Sequence, residues 1–166
     1  MKLVRAGALG AFGLLAALTS GTAAESGSLL PPLPRATLTQ SFGCTSLALE
    51  PPDPACPGGH FHSGVDLAVP AGTPVVAAAS GIASVGWDPH GYGLYVLIQS
   101  RAGLSTIYAH LSLALCATGD GLQAGQILGL VGASGNATGP HLHFEVRLFG
   151  RPQNPLGFLP QGYPRP

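Results

Sequence analysis

Charge is scarce in this chain of 166 residues. Charged side chains make up 8% of it, and its single lysine, Lys2, lies near the N-terminus. A protein that binds nucleic acid needs a basic surface to neutralise phosphates, and this composition does not supply one. The lack of cationic residues also removes simple electrostatic attraction to an anionic wall or membrane surface. The sequence therefore predicts no nucleic-acid partner.

The chain also lacks an apolar run long enough to span a membrane comfortably. Its N-terminal apolar segment, Ala6–Leu18, follows Lys2 and Arg5 and precedes the small residues Thr22–Ala24. This order is typical of a cleaved signal peptide, which we predict over residues 1–24; an uncleaved anchor is the alternative. The exported part would carry five arginines and seven carboxylates, and we expect no stable membrane insertion after cleavage.

Cysteine is rare as well, with Cys44, Cys56 and Cys116 as the complete set. In an exported chain two of them can form a disulfide, which leaves one thiol over. Cys44 and Cys56 bracket a proline-rich stretch with little prospect of regular structure. We therefore predict a bond between Cys44 and Cys56, worth about 3 kcal/mol on the loop-entropy model. Pairing of either residue with Cys116 is the alternative.

No long helical periodicity is present, and short apolar segments are separated by glycine and proline from Thr37 onward. Such spacing is typical of short β-strands, and we predict a mostly β fold built as an antiparallel sheet. The candidate strands are 75–79, 81–86, 94–99, 105–109, 126–131 and 142–148.

The length suits a single small domain. We predict a signal peptide at 1–24, a linker at 25–36, the folded domain at 37–160 and a C-terminal tail at 161–166. The linker is expected to be extended because it contains several prolines.

The segment 141–146 alternates polar and apolar side chains. In a β-strand, His141, His143 and Glu145 would share one face, and the apolar residues between them would face the core. Glu145 is expected either to orient a histidine or to be solvated or paired elsewhere. One face of this strand is therefore available for chemistry.

A second polar segment supplies partners for these histidines. His62 and Asp66 are four residues apart on what we expect to be a loop entering a strand, so they share a face. Two imidazoles and one carboxylate are the usual ligands of a catalytic zinc, with a fourth position left for water. We predict that His62, Asp66 and His143 bind one zinc ion per chain.

A third motif, Tyr108–Leu111, places His110 at the end of a strand. The three motifs His62–Asp66, Tyr108–Leu111 and Thr138–Glu145 together resemble the lysostaphin/LytM family of zinc metallopeptidases, which cleave peptide bonds in bacterial peptidoglycan. The resemblance covers about Gln40–Pro155. It implies a lysostaphin-like peptidase fold in which loops form a substrate groove.

The resemblance also implies a function for the site. His62, Asp66 and His143 would hold zinc, while His110 and His141 would be catalytic residues beside a zinc-activated water. The expected protein is a secreted, periplasmic or wall-associated bacterial zinc metalloendopeptidase acting on peptidoglycan cross-links or stem peptides. A catalytically silent binding or amidase-activator domain on the same fold is the alternative. The sequence assigns neither the cleaved bond, nor the separate roles of His110 and His141, nor an oligomeric state.

Overall fold

The computed structural model describes residues 28–165. Over this range the regular structure consists of twelve β-strands and one 3₁₀ turn, Pro155–Gly157. The predicted signal peptide, residues 1–24, lies outside the described residues. Within them, no helix has the length and apolar character needed to cross a membrane.

The strands are short and follow one another closely along the chain. They are β1 (Thr37–Gln40), β2 (Gly43–Thr45), β3 (His60–His62), β4 (Val65–Ala68), β5 (Pro74–Val76), β6 (Gly81–Asp88), β7 (Gly93–Gln99), β8 (Leu104–Ala114), β9 (Gly121–Leu122), β10 (Ile127–Val131), β11 (His141–Leu148) and β12 (Arg151–Gln153).

All six candidate strands of the sequence coincide at least partly with observed strands, so the mostly β prediction is confirmed. The segment 75–79 forms a strand only at its beginning. β5 ends at Val76 because its partner β10 starts at Ile127, directly opposite Val76.

Ten strands form one antiparallel sheet, whose main path runs β1-β4-β11-β8-β7-β6-β9. β10 pairs with β5 and β8, and β12 pairs with β11. β11 therefore lies between β4 and β8, where His143 is opposite Asp66 on one side and Ala109 on the other. This register brings the three predicted motifs to one place on the sheet.

The apolar face of β11 forms part of the hydrophobic core. Leu142, Phe144 and Val146 are fully buried, and the ring of Phe144 lies 5.3 Å from that of Tyr108, measured between centroids. Each fully buried side chain of this size stabilises the fold by about 1.5–3 kcal/mol relative to exposure. The predicted alternation of core and polar faces along this strand is confirmed.

A small two-stranded sheet, β2 with β3, lies apart from the main sheet. The disulfide between Cys44 and Cys56, with Cα atoms 5.2 Å apart, closes the loop that joins these two strands. The predicted pairing is confirmed, and Cys116 is a free, half-buried thiol. The covalent bond fixes the course of a loop that has almost no regular structure.

The predicted linker, 25–36, is described from residue 28, and this part packs against the domain. Leu33 is fully buried. The backbone N–H of Ala36 donates to the carbonyl of Arg165, 2.9 Å away, so this segment also contacts the predicted tail, 161–166. Both chain ends of the described range are therefore held against the core rather than extended into solvent.

Candidate metal centre and active-site groove

Three side chains from three neighbouring strands meet at one point. His62 is the last residue of β3, Asp66 lies in β4, and His143 lies in β11. His143 Nδ1 is 3.0 Å from both His62 Nε2 and Asp66 Oδ1, and the last two atoms are 3.3 Å apart. All three residues are buried, and they form the one potential metal-binding cluster found among residues 28–165. The structure thus brings together the three ligands predicted from sequence.

The outward-facing ring nitrogens of both histidines have hydrogen-bond acceptors. His62 Nδ1 lies 2.9 Å from the carbonyl oxygen of Ser41, and His143 Nε2 lies 3.1 Å from Glu145 Oε1. A neutral imidazole carries one N–H, so these acceptors select the tautomers in which that N–H points outward. His62 Nε2 and His143 Nδ1 then present lone pairs toward the centre.

This arrangement fits a zinc ion. Four ligands placed tetrahedrally 2.0–2.2 Å from zinc are separated from one another by about 3.3–3.6 Å, slightly more than the observed 3.0–3.3 Å. Two imidazole nitrogens and one carboxylate oxygen are also the ligand types that zinc prefers in catalytic sites. A cation at the centre is the natural partner for three atoms that all offer lone pairs.

The electrostatics of the cluster favour positive charge. Burial alone lowers the pKa of His143, but the carboxylates of Asp66 and Glu145 outweigh it and raise the pKa to about 9. Burial alone raises the pKa of Asp66, yet its hydrogen bonds to His143 and His62 hold that pKa well below the usual value. Without a metal, a proton on His143 supplies the positive charge that these two carboxylates stabilise.

Glu145 is fully buried behind His143. Its Oε1 accepts hydrogen bonds from Ser63 Oγ at 2.5 Å and from Tyr92 Oη at 2.6 Å, and its Oε2 accepts from Arg147 Nε at 2.6 Å. Burial raises the pKa of this carboxyl. The groups that donate to it, of which His143 has the largest effect, outweigh burial and lower the pKa to about 2. Of the sequence-based alternatives for Glu145, the structure excludes a solvated carboxylate: the side chain both contacts His143 and pairs with Arg147.

His110 lies within β8, not at its end as the motif suggested. The pairing of β8 with β7 shifts register beside this residue, and His110 has a φ of +60°, which is uncommon for a residue with a side chain. Such a β-bulge redirects a side chain, and here it points the imidazole into the groove. His110 Nδ1 lies 2.8 Å from the carbonyl of Ser134.

His110 and His141 form a pair beside the ligand cluster, with ring centroids 4.7 Å apart. His141 Nδ1 lies 2.8 Å from the carbonyl of Gly139, and His141 Nε2 is 3.7 Å from Asp66 Oδ1. Burial lowers the pKa of His110 to about 4, so its imidazole is neutral at pH 7. Because both Nδ1 atoms face carbonyl acceptors, both Nε2 atoms are left to accept protons.

The cluster opens into a groove of about 240 Å³. One wall is the disulfide loop, where Glu50 Oε1 accepts a hydrogen bond from Gln40 Nε2 at 2.8 Å and lies 4.0 Å from His62 Nε2. Asn136 Nδ2, on the opposite wall, donates to the Leu49 carbonyl at 2.8 Å and joins the two walls. The groove is lined by Gln40, Leu47, Leu49, Glu50, Pro51, Ser63, Asp66, Asp88, His90, Gly91, Tyr92, His110, Asn136, Thr138, His141 and His143.

A second cavity also borders Asp66 and His141. Its volume is about 320 Å³, and Thr39 and Ala68 line it together with residues 138–140. The two cavities share Gln40, Asp66, Thr138 and His141, so open space adjoins the ligand residue Asp66 in both.

Sequence reasoning missed several residues of this site. Arg147 drew no attention, although the alternation of β11 places it on the same face as His143 and Glu145. Glu50 gave no signal, because its approach to the cluster depends on the course of the disulfide loop. Tyr92 lines the groove and Tyr108 is fully buried in the core, a difference that their sequence neighbours do not indicate.

The fold and the site define a metallopeptidase-type domain, in which strands of two antiparallel sheets bring two histidines and a carboxylate together beside a groove. The sequence agrees: residues 60–155 match the profile of peptidase family M23, and the chain belongs to that family. All the predicted ligands and both groove histidines lie within the matched range.

Similar proteins come from bacteria. The DD-carboxypeptidase/endopeptidase Mpg of Neisseria meningitidis serogroup B is 45% identical over 96 residues, which cover 58% of this chain and 22% of Mpg. The peptidoglycan DD-endopeptidase ShyA of Vibrio cholerae is 41% identical over 95 residues, covering 57% of this chain and 22% of ShyA. The chain thus spans about a fifth of the length of these curated relatives.

A solved structure shares the fold over most of its length. The catalytic domain of the antimicrobial peptidase lysostaphin from Staphylococcus simulans superposes with a TM-score of 0.62 at 32% identity. The match covers 74% of this chain and 91% of that domain. The predicted lysostaphin-like peptidase fold is therefore confirmed.

Proposed function

We propose that this protein is a zinc metalloendopeptidase that hydrolyses peptide bonds in bacterial peptidoglycan. The observation that carries the proposal is the convergence of three ligand atoms within 3.0–3.3 Å of one another, with two further histidines in the same groove. Two M23 relatives with endopeptidase names, one of them a peptidoglycan DD-endopeptidase, support the substrate class.

His62, Asp66 and His143 would hold one zinc ion. When bound, zinc lowers the pKa of water to near neutrality and polarises a carbonyl group. His110, neutral at pH 7, is suited to take a proton at Nε2, because its Nδ1–H is committed to the Ser134 carbonyl. His141, equally oriented by a backbone carbonyl, is suited to stabilise developing charge or to pass a proton to the leaving amine.

The two cavities that meet at Asp66 and His141 support cleavage within a peptide rather than at a free end. A substrate chain can extend from the groove beside the disulfide loop, past Asp66 and His141, into the second cavity. An exopeptidase needs a blocked end that recognises a terminal charge. Neither cavity is lined by a lysine or an arginine that could bind a terminal carboxylate.

Export is part of the proposal, since peptidoglycan lies outside the cytoplasm. A signal peptide at 1–24 would direct the chain there, and the disulfide between Cys44 and Cys56 is consistent with an oxidising compartment. The folded enzyme would then act in the periplasm, at the wall or after secretion. An N-terminus at Glu25 on the exported protein would test the cleavage site.

The test uses the zinc-loaded protein on purified peptidoglycans, with released fragments identified by mass spectrometry. New peptide ends are expected with the intact protein and not after chelation. His141→Ala should keep zinc and lose most turnover, whereas His143→Ala should lose the metal itself. Full turnover in His141→Ala, or full zinc content in His143→Ala, would contradict the role assigned to that residue.

The alternative of a silent binding or activator domain predicts a different outcome. Such a domain would release no fragments from any wall type, even with zinc bound at one ion per chain. The close approach of His62, Asp66 and His143, with His110 and His141 beside them in the groove, favours the enzyme. A silent domain has no need of a complete ligand set with two added histidines.

A further inference from the structure

A closed ring of hydrogen bonds lies behind the metal-ligand cluster. Tyr92 Oη donates to Glu145 Oε1 at 2.6 Å, Arg147 Nε donates to Glu145 Oε2 at 2.6 Å, and Arg147 Nη2 donates to Tyr92 Oη at 2.9 Å. The phenol therefore accepts from the guanidinium and donates to the carboxylate. Both oxygens of Glu145 are held, so the plane of the carboxylate is fixed.

This carboxylate is the group that accepts the outward N–H of His143. Partners of this kind set the tautomer and the ring orientation of a metal-binding histidine. Glu145 can perform that task only if it does not rotate about its own side-chain bonds, and four donors on its two oxygens prevent this. Tyr92 is the donor that also links to Arg147 and closes the ring.

We propose that Tyr92 is a positioning residue for the metal centre, acting through Glu145 on the ring of His143. The inference rests on the proposed function only in that the cluster binds zinc. It assigns to Tyr92 no contact with the metal and no step in the reaction. The backbone carbonyl of Tyr92 also accepts the N–H of His110 at 2.8 Å, so the same residue contacts both halves of the site.

A neighbouring tyrosine provides a matched control. The rings of Tyr92 and Tyr95 lie 5.5 Å apart between centroids, and both are half-buried. Within residues 28–165, no hydrogen bond joins the Tyr95 hydroxyl to Glu145 or Arg147. Replacing either tyrosine by phenylalanine removes one hydroxyl and keeps the ring, but only Tyr92→Phe opens the ring of hydrogen bonds.

The experiment measures the zinc affinity of the metal-free protein by competition with a chromophoric chelator. Loss of an outer partner typically weakens metal binding about 10- to 100-fold, and Tyr92 is one step further out, so we expect a loss of about 3- to 10-fold in Tyr92→Phe. Tyr95→Phe should match the wild type. Cobalt substitution gives a second readout, because a tilted His143 ring changes the visible absorption of bound cobalt in Tyr92→Phe alone.

Unfolding of the metal-free variants by urea separates positioning from general stabilisation. If Tyr92→Phe lowers stability but binds zinc and cobalt like the wild type, the hydroxyl only stabilises the fold and the inference is overturned. Equal weakening by Tyr95→Phe would overturn it as well. A wild type that binds no zinc would instead refute the proposed metal centre, and the role of Tyr92 with it.

Discussion

Gly64 leaves no room for a side chain, which makes Gly64→Ala a sharp test of how the metal centre is assembled. The residue lies between His62 and Asp66 and faces β11. A Cβ atom placed there would be 2.5 Å from the carbonyl oxygen of Phe144 and 2.9 Å from His143 Nε2. The φ of Gly64 is outside the left-handed region, so alanine adds a steric conflict without backbone strain.

The size of the conflict follows from these distances. Ordinary van der Waals contact begins at 3.4 Å, so relief of the 2.5 Å contact needs a shift of about 0.9 Å between the chain at Gly64 and β11. Overpacking of this kind costs about 1–3 kcal/mol of stability. Metal–ligand distances tolerate about 0.2 Å, and β11 carries His143 while the other two ligands flank Gly64. We expect zinc affinity to fall about 100-fold or more, beyond the usual effect of an outer partner.

Chelator competition for zinc, together with urea unfolding of the metal-free protein, measures both effects. Gly121→Ala is the matched control, because the nearest atom to a Cβ there is Ile82 Cδ1 at 3.9 Å. That variant should bind zinc like the wild type. Wild-type zinc affinity in Gly64→Ala would refute the argument that close approach of these segments sets the ligand geometry.

Three further outcomes can be measured on the same preparations. Replacing Cys44 and Cys56 by serine should lower the free energy of unfolding, measured with urea, by about 3 kcal/mol. It should also raise KM more than it lowers kcat and leave the zinc content unchanged. Loss of zinc would show that the loop supports the metal centre itself. Tyr108→Phe removes the acceptor of the buried Ala78 N–H, 2.7 Å away, and should cost about 1–3 kcal/mol without altering zinc affinity. Zinc at a hundred times its Kd should stabilise the wild type by about 2.7 kcal/mol, an increment that Asp66→Ala should lack.

The ligand cluster was predictable because it depends on local periodicity. His143 is on the polar face of its strand by simple alternation, and His62 and Asp66 are close in sequence. Two imidazoles and one carboxylate as a set then favour zinc. The antiparallel sheet was predictable for a similar reason, since glycine and proline mark the ends of most of its strands.

The remaining features depend on contacts that no local pattern records. The left-handed backbone of His110 arises from a register shift between β7 and β8, and its sequence neighbours do not indicate it. Tyr92 is 53 residues from Glu145 and 55 from Arg147, so their ring of hydrogen bonds exists only after the sheet has formed. Glu50 approaches His62 because the disulfide turns its loop back over the groove.

The metal centre and one wall of its groove come from different parts of the chain, and this separation has a consequence for substrate choice. All five predicted site residues lie within 60–155, the range that matches the family profile. The wall of the groove formed by residues 47–51 precedes that range, and it contributes two apolar side chains, one carboxylate and a proline. A wall outside the matched range can change without altering the ligand geometry. If the proposed activity holds, differences between the bond it cleaves and those cleaved by M23 relatives are to be sought in the disulfide loop. Glu50→Gln tests the single charge that this loop brings to the groove.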